Sequence, residues 1–156
     1  MGMSVEQIEV PESARELTGL ARIDYADAFR ATPAPAAGRP PLEAARAVLA
    51  EAPANVRRAL LAGWSLLGLR LDEGEGDGVR VLGWGLRWAD DEVAVLASWS
   101  PLGIEAELIF EQTPGALLYA TFVQLEGEEA RAAWAGIEPV HPPMVQRLLE
   151  RAAAAV

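Results

Sequence analysis

The sequence predicts an α+β domain in which a curved antiparallel sheet wraps around a long C-terminal helix. The period of the apolar residues changes twice along the chain, and these changes carry the prediction. Apolar residues recur at helical spacing over residues 41–69, alternate as in strands over residues 79–125, and return to helical spacing beyond residue 127. Strands with one apolar face need a cover, and the striped terminal helix supplies it.

The length and charge of the chain limit its class and its partners. At 156 residues it has the length of one compact domain, which we expect to span residues 1–156. It contains no cysteine, which excludes disulfide bonds and thiolate chemistry. The chain has 13 basic residues, all arginine, and 23 acidic ones. The resulting net charge of −10 repels phosphate backbones and anionic lipid headgroups. We therefore expect neither nucleic acid nor a membrane surface as a partner.

The N-terminus and the longest apolar run bear on location. The stretch "MGMSVEQIEV" lacks the basic start and apolar core of a secretory signal. The run "ALLAGWSLLGL" (residues 59–69) is far shorter than the ~20 residues that span a bilayer, so we expect no membrane insertion. These features predict a soluble, cytoplasmic protein.

The N-terminal region is expected to hold an arm and one strand. Residues 1–20 are mixed and polar and contain Pro11 and Gly19, so we interpret them as an irregular arm of the domain. The segment "ARIDYADAFRAT" (residues 21–32) then predicts the first strand, and a connection rich in proline and glycine follows it.

Two short helices are expected after that strand. "PLEAARAVLAEA" (residues 41–52) and "ANVRRALLAGWSLLGL" (residues 54–69) both carry apolar residues at helical spacing. Pro53 separates them, and Gly68 offers a stop for the second. We therefore expect a bent helix pair.

The middle of the chain predicts the rest of the sheet. The acidic segment "DEGEGDG" (residues 72–78) predicts a solvated loop, because its spacing does not match a calcium-binding loop. Each of the next three strands is expected to collect its apolar residues on one face: Leu82, Trp84, Leu86 and Trp88; Val93, Val95, Ala97 and Trp99; Ile104, Ala106, Leu108 and Phe110. A "TPG" turn leads into "ALLYATFVQLE" (residues 116–126), so consecutive strands form an antiparallel meander.

The C-terminal region returns to helical spacing. "GEEARAAWAGI" (residues 127–137) predicts one helical stretch, and the final segment carries an apolar stripe of Val145, Leu148, Leu149 and Ala152. Between them, Pro142 and Pro143 follow His141 directly. Because proline lacks an amide donor and disfavours helical geometry in the preceding residue, we expect a pronounced break near His141.

Three short motifs resemble a known family. "DYADAF" (residues 24–29), "RRALLAGWSLLGL" (residues 57–69) and "RAAWAGIEPVH" (residues 131–141) running into "MVQRLLERA" resemble a bacterial family of unknown function in the START-like superfamily. That superfamily includes polyketide cyclases and lipid-transfer domains, and its fold is the helix-grip. The resemblance covers roughly residues 23–152 and implies a ligand site between the terminal helix and the sheet. The two prolines after His141 depart from the family pattern.

His141, the only histidine, has three open interpretations. It could bond backbone groups freed by the prolines, contact a ligand at a pocket, or act as a general acid or base near neutral pH with Glu138 as an orienting group. We favour the first and retain the others.

Aromatic strand residues are the other ligand-binding candidates. Trp84, Trp88 and Trp99 could form the floor of an apolar cavity or could simply fill the core, and Tyr119 could present its hydroxyl inside the grip or be an ordinary strand residue. The acidic candidates are expected on the surface: Asp24, Asp27, Glu105, Glu107 and Glu111. Asp24 and Asp27 could alternatively be polar anchors for a ligand.

Several chemistries find no support in the sequence. A lone histidine without HxH or HxxE spacing does not form a metal site, so we expect no metal and no cofactor. There is also no GxSxG nucleophile motif and no phosphate-binding loop.

These observations lead to three functional hypotheses. The first is a noncatalytic protein that binds a small apolar or aromatic ligand between the terminal helix and the sheet. The second is a cyclase- or dehydratase-like enzyme that uses His141 with a pocket tyrosine or aspartate as acid and base. The third is a protein-interaction module with an exposed apolar patch along residues 59–69. Ligand identity and oligomeric state stay open.

Overall fold

The computed structural model describes residues 3–72 and 78–154, which form seven strands and five α-helices. The strands are β1 (Ser4–Ile8), β2 (Tyr25–Thr32), β3 (Arg80–Val81), β4 (Trp84–Ala89), β5 (Val93–Ser100), β6 (Ile104–Thr113) and β7 (Ala116–Leu125). The helices are α1 (Glu12–Leu17), α2 (Pro41–Ala45), α3 (Ala54–Leu66), α4 (Glu128–Ile137) and α5 (His141–Ala154). Most of the acidic loop expected over residues 72–78 lies outside the described residues.

All seven strands belong to one curved antiparallel sheet in the order β1-β2-β7-β6-β5-β4-β3. Strands β3 to β7 form the predicted meander, and β2 pairs with the last strand, as in the register of Phe29 with Tyr119. The "TPG" turn joins β6 to β7, with Gly115 at a φ of 77° that suits glycine. The prediction of an α+β fold with an antiparallel sheet and a helical C-terminus is confirmed.

One face of the sheet, called the inner face here, carries the main core. On β6, Ile104, Ala106, Leu108 and Phe110 contribute to this core, as the alternating sequence predicts. The opposite side of the core comes from the helices: Val48, Leu49, Leu60, Trp64, Trp134, Val145, Leu148 and Leu149. The apolar stripe of α5 therefore covers the sheet, although α5 makes its strand contacts near the β1–β2 edge.

The two predicted helices after the Pro/Gly-rich connection are present as a bent pair. Pro41 occupies the first turn of α2, where its missing amide costs nothing, and α2 runs into a π-helical turn, Arg46–Ala50. Pro53 is the N-cap residue of α3, so the bend lies where the sequence places it. Gly68, at a φ of 73°, follows the end of α3.

The irregular arm expected over residues 1–20 is a correction. This segment forms β1, which pairs with the free edge of β2, and α1, which lies over the outer face of the sheet. Its apolar residues cover a second, smaller core: Ala14, Ala28, Val93, Val95, Ile109, Leu118, Ala120 and Phe122. The strands thus have apolar residues on both faces, and β1 supplies the backbone partners that an open edge would lack.

The segment over residues 79–89 also differs from the prediction. Leu82 and Gly83, with φ angles of 47° and 92°, form a two-residue turn between β3 and β4, so Leu82 does not belong to a strand. The β4–β5 register then shifts between Leu86 and Trp88. A bulge of this kind moves the following side chain to the other face, which takes Trp88 off the inner face.

Near His141, where the sequence predicts a pronounced break, the helical C-terminus changes to a short 3₁₀ turn. Helix α4 ends at Ile137, a 3₁₀ turn covers Glu138–Val140, and the backbone N–H of His141 donates to the carbonyl of Glu138. Helix α5 then begins, and its two prolines occupy the first turn, where no intrahelical donor is needed. The prolines therefore start a helix at this point.

Candidate functional site

A cavity of about 140 Å³ lies between the inner face and the helices. Its wall is mostly apolar, with side chains from α3, β6, β7, α4 and α5. Ala59 of α3 and Val140, which is 57% exposed, belong to this wall, so the cavity reaches the surface between α3 and the 3₁₀ turn. Folded cores hold few voids larger than a water molecule, so this space is a candidate binding site.

Aromatic rings form much of the wall. Trp64 and Trp84 meet edge to face with ring centroids 5.6 Å apart. The ring centroid of Trp134 lies 4.8 Å from that of Tyr25 and 5.4 Å from that of His141. Such contacts hold rings in fixed orientations, and they make the wall suited to flat apolar molecules.

His141 is held by Asp27 on the inner face of β2. The Nδ1 atom of His141 lies 2.7 Å from Oδ2 of Asp27, and both residues are buried. Because an ionised carboxylate only accepts hydrogen bonds, Nδ1–H is the donor of this pair, and in a neutral ring the lone pair then lies on Nε2. His141 also lines the cavity, so Nε2 is the ring nitrogen left for a ligand.

Tyr25 completes this cluster. Its hydroxyl donates to the same Oδ2 atom of Asp27 at 2.5 Å. Burial raises the pKa of Tyr25, and its bond to Asp27 and the negative charge of that residue raise the pKa further. The phenol is therefore a stable donor at neutral pH, and Asp27 receives two hydrogen bonds from side chains on different elements.

Tyr119 of β7 is the other protonated phenol, and unlike Tyr25 it belongs to the cavity wall. It is 3% exposed and lines the cavity. Burial raises the pKa of Tyr119, the charge of Asp27 adds to the rise, and the neighbouring Thr121 hydroxyl opposes it. The cavity therefore combines an apolar wall with a hydroxyl group and an imidazole.

The structure separates the five ligand-binding candidates. Trp84, Tyr119 and His141 line the cavity. Trp88 and Trp99 do not, and they are 42% and 45% exposed. The prediction that all three strand tryptophans share the inner surface is wrong, because the β4 bulge redirects Trp88 and because β5 turns Val93, Val95 and Trp99 to the outer side.

The acidic candidates divide in the same way. Asp24 lies near the surface, bonded to Arg22 and to the backbone N–H of Leu125, and the Arg22 guanidinium lowers the pKa of Asp24. Asp27 and Glu107 are buried, at 4% and 3% exposure, so the expectation of surface positions is wrong for both. Each accepts from a distant part of the chain, Asp27 from His141 and Glu107 from Thr18 and Gly19. Oδ1 of Asp27, however, has no hydrogen-bond partner among the described residues.

The sequence contains a signal for Asp27 and for Trp134, neither of which is among the five ligand-binding candidates. In "YADAF", alternation places Tyr25, Asp27 and Phe29 on one strand face, so an aspartate stands between two aromatic residues. A carboxylate in the middle of an apolar face is the pattern of a buried, partnered acid. The signal for Trp134 is its position on the apolar side of α4, which predicts that its ring is buried.

Other kinds of site find little in the described part of the chain. Residues 3–72 and 78–154 bring together no group of three or more histidine, aspartate or glutamate residues able to hold a metal ion. None of the helices described is long and apolar enough to cross a membrane. On α3, Leu61 and Leu66 are exposed, but five residues place them about 140° apart around the helix, so they do not form one patch.

Comparison with known proteins yields no relative. No protein-family model, no curated protein and no solved structure matches this chain significantly. The resemblance to the START-like superfamily stays a prediction from three short motifs.

Proposed function

We propose that this protein binds a small apolar ring compound in the cavity between the C-terminal helices and the sheet, without changing it chemically. The observation that carries the proposal is the cavity of about 140 Å³ with an aromatic wall. An engineered apolar cavity of about 150 Å³ in another protein binds benzene, so this volume suits one ring with a short substituent.

The START-like, helix-grip assignment belongs to the same proposal. Its support is the order of elements: a strand, two short helices, a meander and a C-terminal helical segment, after an added N-terminal strand. The position of the cavity also agrees, since the resemblance implies a ligand between the terminal helix and the sheet. Binding of this kind needs no cofactor.

A substitution at the mouth tests the proposal. Ala59 is exposed on α3 and lines the cavity, whereas Ala62 is exposed on the same helix and does not line it. We expect Ala59→Trp to block entry and Ala62→Trp to leave binding unchanged. Ligand-observed NMR with single-ring and fused-ring hydrocarbons, from benzene to naphthalene, would measure this. The absence of micromolar-to-millimolar binding by the unmodified protein would refute the proposal, as would equal binding by the two variants.

A second candidate function is acid–base catalysis at the same cavity. The buried hydrogen bond between Asp27 and His141 favours it, since a carboxylate that fixes the Nδ1–H tautomer leaves Nε2 as a base. The Tyr119 hydroxyl, kept protonated by burial, could stabilise negative charge on a carbonyl oxygen. The reaction class would be removal of a proton from carbon next to a carbonyl.

Deuterium exchange would test this second candidate. In D₂O, Nε2 would take a proton from the α carbon of cyclohexanone, the electron pair would move to the carbonyl oxygen, and the carbon would then receive deuterium. We expect His141→Gln and Tyr119→Phe to slow such exchange and Asp91→Asn, in an exposed turn, to leave it unchanged. Exchange no faster than in buffer would eliminate this reaction.

A further inference from the structure

We infer that the ligand of the cavity is an un-ionised ring compound with a hydroxyl group, a phenol or cyclic alcohol, whose O–H donates to Nε2 of His141. This inference rests on the proposed binding function and specifies its ligand class. It follows from the hydrogen bond between Nδ1 of His141 and Asp27, from the charges near the cavity and from the cavity volume.

The tautomer of His141 sets the polarity of the site. Asp27 accepts from Nδ1 of His141 at 2.7 Å and from the Tyr25 hydroxyl at 2.5 Å, so it holds the histidine proton on the side away from the ligand. In the neutral ring, the remaining nitrogen, Nε2, is an acceptor. A ligand with a hydrogen-bond donor satisfies it, whereas a ligand with only an ether or carbonyl oxygen does not.

The charges near the cavity exclude an anionic ligand. No arginine is among the residues that line it, and the chain has no lysine. Asp27, which is hydrogen-bonded to His141 in the cavity wall, adds a carboxylate that repels an anion. A carboxylate or phenolate would lose its hydration without a compensating cation, so the hydroxyl must enter un-ionised.

The wall provides a partner for the oxygen of that hydroxyl. Tyr119 lines the same cavity, and its raised pKa keeps the phenol protonated, so it can donate to a ligand oxygen. The volume of about 140 Å³ leaves room for one ring beside these groups. A ring hydroxyl can therefore donate to His141 and accept from Tyr119.

A matched set of probes tests the inference. Phenol donates and accepts, anisole only accepts, and toluene does neither, while all three contain one benzene ring. Binding to the full chain is measured by titration calorimetry at pH 8, where an ordinary imidazole is neutral. We expect phenol to bind about tenfold tighter than toluene, the effect of one good hydrogen bond, and anisole to bind more weakly than phenol.

Variants assign the preference to named groups. Asp27→Leu removes the acceptor that holds the proton on Nδ1, so the proton is free to move to Nε2 and the ratio of phenol to anisole affinity should fall toward one. Tyr119→Phe should weaken phenol and anisole but leave toluene unchanged. Asp91→Asn is the control for the first variant, and Trp88→Phe, on the outer face, is the control for the second.

The possible outcomes separate the two proposals. If toluene and anisole bind as tightly as phenol, the cavity binds rings but the inference about the hydroxyl is wrong. If Asp27→Leu folds and keeps the full preference for phenol, the tautomer argument is wrong. If none of the three probes binds, the proposed binding function fails and the inference fails with it.

Discussion

The Nδ1 atom of His141 lies 2.7 Å from Oδ2 of Asp27, across 114 residues of sequence. This bond joins the first residue of α5 to the inner face of β2. It fixes where the C-terminal helix begins relative to the sheet, and it orients the imidazole at the cavity. One contact therefore serves the fold and the candidate site together.

Removal of the Asp27 carboxylate should destabilise the fold. In Asp27→Ala, His141 and Tyr25 both lose their acceptor while staying largely buried. Hydrogen bonds to charged groups contribute about 1.5–3 kcal/mol, so we expect the free energy of unfolding to fall by about 3 kcal/mol. Urea unfolding measures it. Asp91→Ala, in an exposed turn, should change stability by less than about 0.5 kcal/mol, and an equal loss in both variants would contradict the argument.

The two tyrosines predict a loss of stability at high pH. Tyr25 and Tyr119 are the only tyrosines, and burial raises the pKa of each in the folded protein above the ordinary value near 10. The unfolded chain therefore releases these protons first as the pH rises. The stability from both groups is complete below pH ~10 and falls above it by about 1.4 kcal/mol per pH unit for each tyrosine.

Denaturant unfolding between pH 9 and pH 12, with phenolate absorbance as a second signal, measures this slope. Phenolate should appear together with unfolding and not before it. Tyr119→Phe should halve the slope, because one of the two groups is removed. Phenolate formation by the folded protein near pH 10 would contradict the prediction.

Much of the fold could be predicted because alternation in the sequence reports burial on a single face. Strand β6 alternates large apolar residues with glutamates, and its inner face is as expected. Strand β5 could not be assigned this way, since "VAVLASW" is apolar at both parities and both faces are covered. The N-terminal arm covers the outer face with large apolar residues at irregular spacing, so no single period predicts its elements; these residues include Ile8, Val10, Leu17 and Leu20.

The site was predicted in part for a related reason. Trp84, Tyr119 and His141 are the residue types that pockets commonly use, and they line the cavity. The role of Asp27 depends on a contact across 114 residues, which no local spacing contains. Trp88 was misplaced by a single extra residue in β4, because one bulge reverses every later side chain on the strand.

The buried Glu107 should hold the N-terminal segment on the outer face. Its carboxylate accepts from the Thr18 hydroxyl at 2.7 Å and the Gly19 amide at 3.0 Å, and it pairs with Arg87 at 2.9 Å. We expect Glu107→Gln to lower the free energy of unfolding by about 2 kcal/mol and to speed amide exchange across residues 10–23.

Glu105 provides the matched control for that variant. It lies on the same face of β6, is exposed, and accepts from the Gln124 amide at 3.3 Å. Glu105→Gln should leave both stability and exchange nearly unchanged, as is usual for surface substitutions. Exchange of residues 10–23 that is unaffected in Glu107→Gln would show that the apolar contacts of α1 suffice to hold the segment.

Gly103 should be the glycine least tolerant of a side chain. It lies in the turn between β5 and β6 at a φ of 108°, and an added Cβ would overlap the backbone oxygen of Glu126. The same residue accepts a hydrogen bond from the Glu126 amide, so neither chain can move away freely. We expect Gly103→Ala to cost about 3 kcal/mol or more, because it combines backbone strain with a clash.

Gly136, near the end of α4, has open space around its Cβ position, so Gly136→Ala should stabilise the protein by about 0.5–1 kcal/mol. Thermal unfolding of the two variants compares them directly, and a Gly103→Ala protein as stable as the original would mean that the β5–β6 turn can rearrange without disturbing the contact with β7.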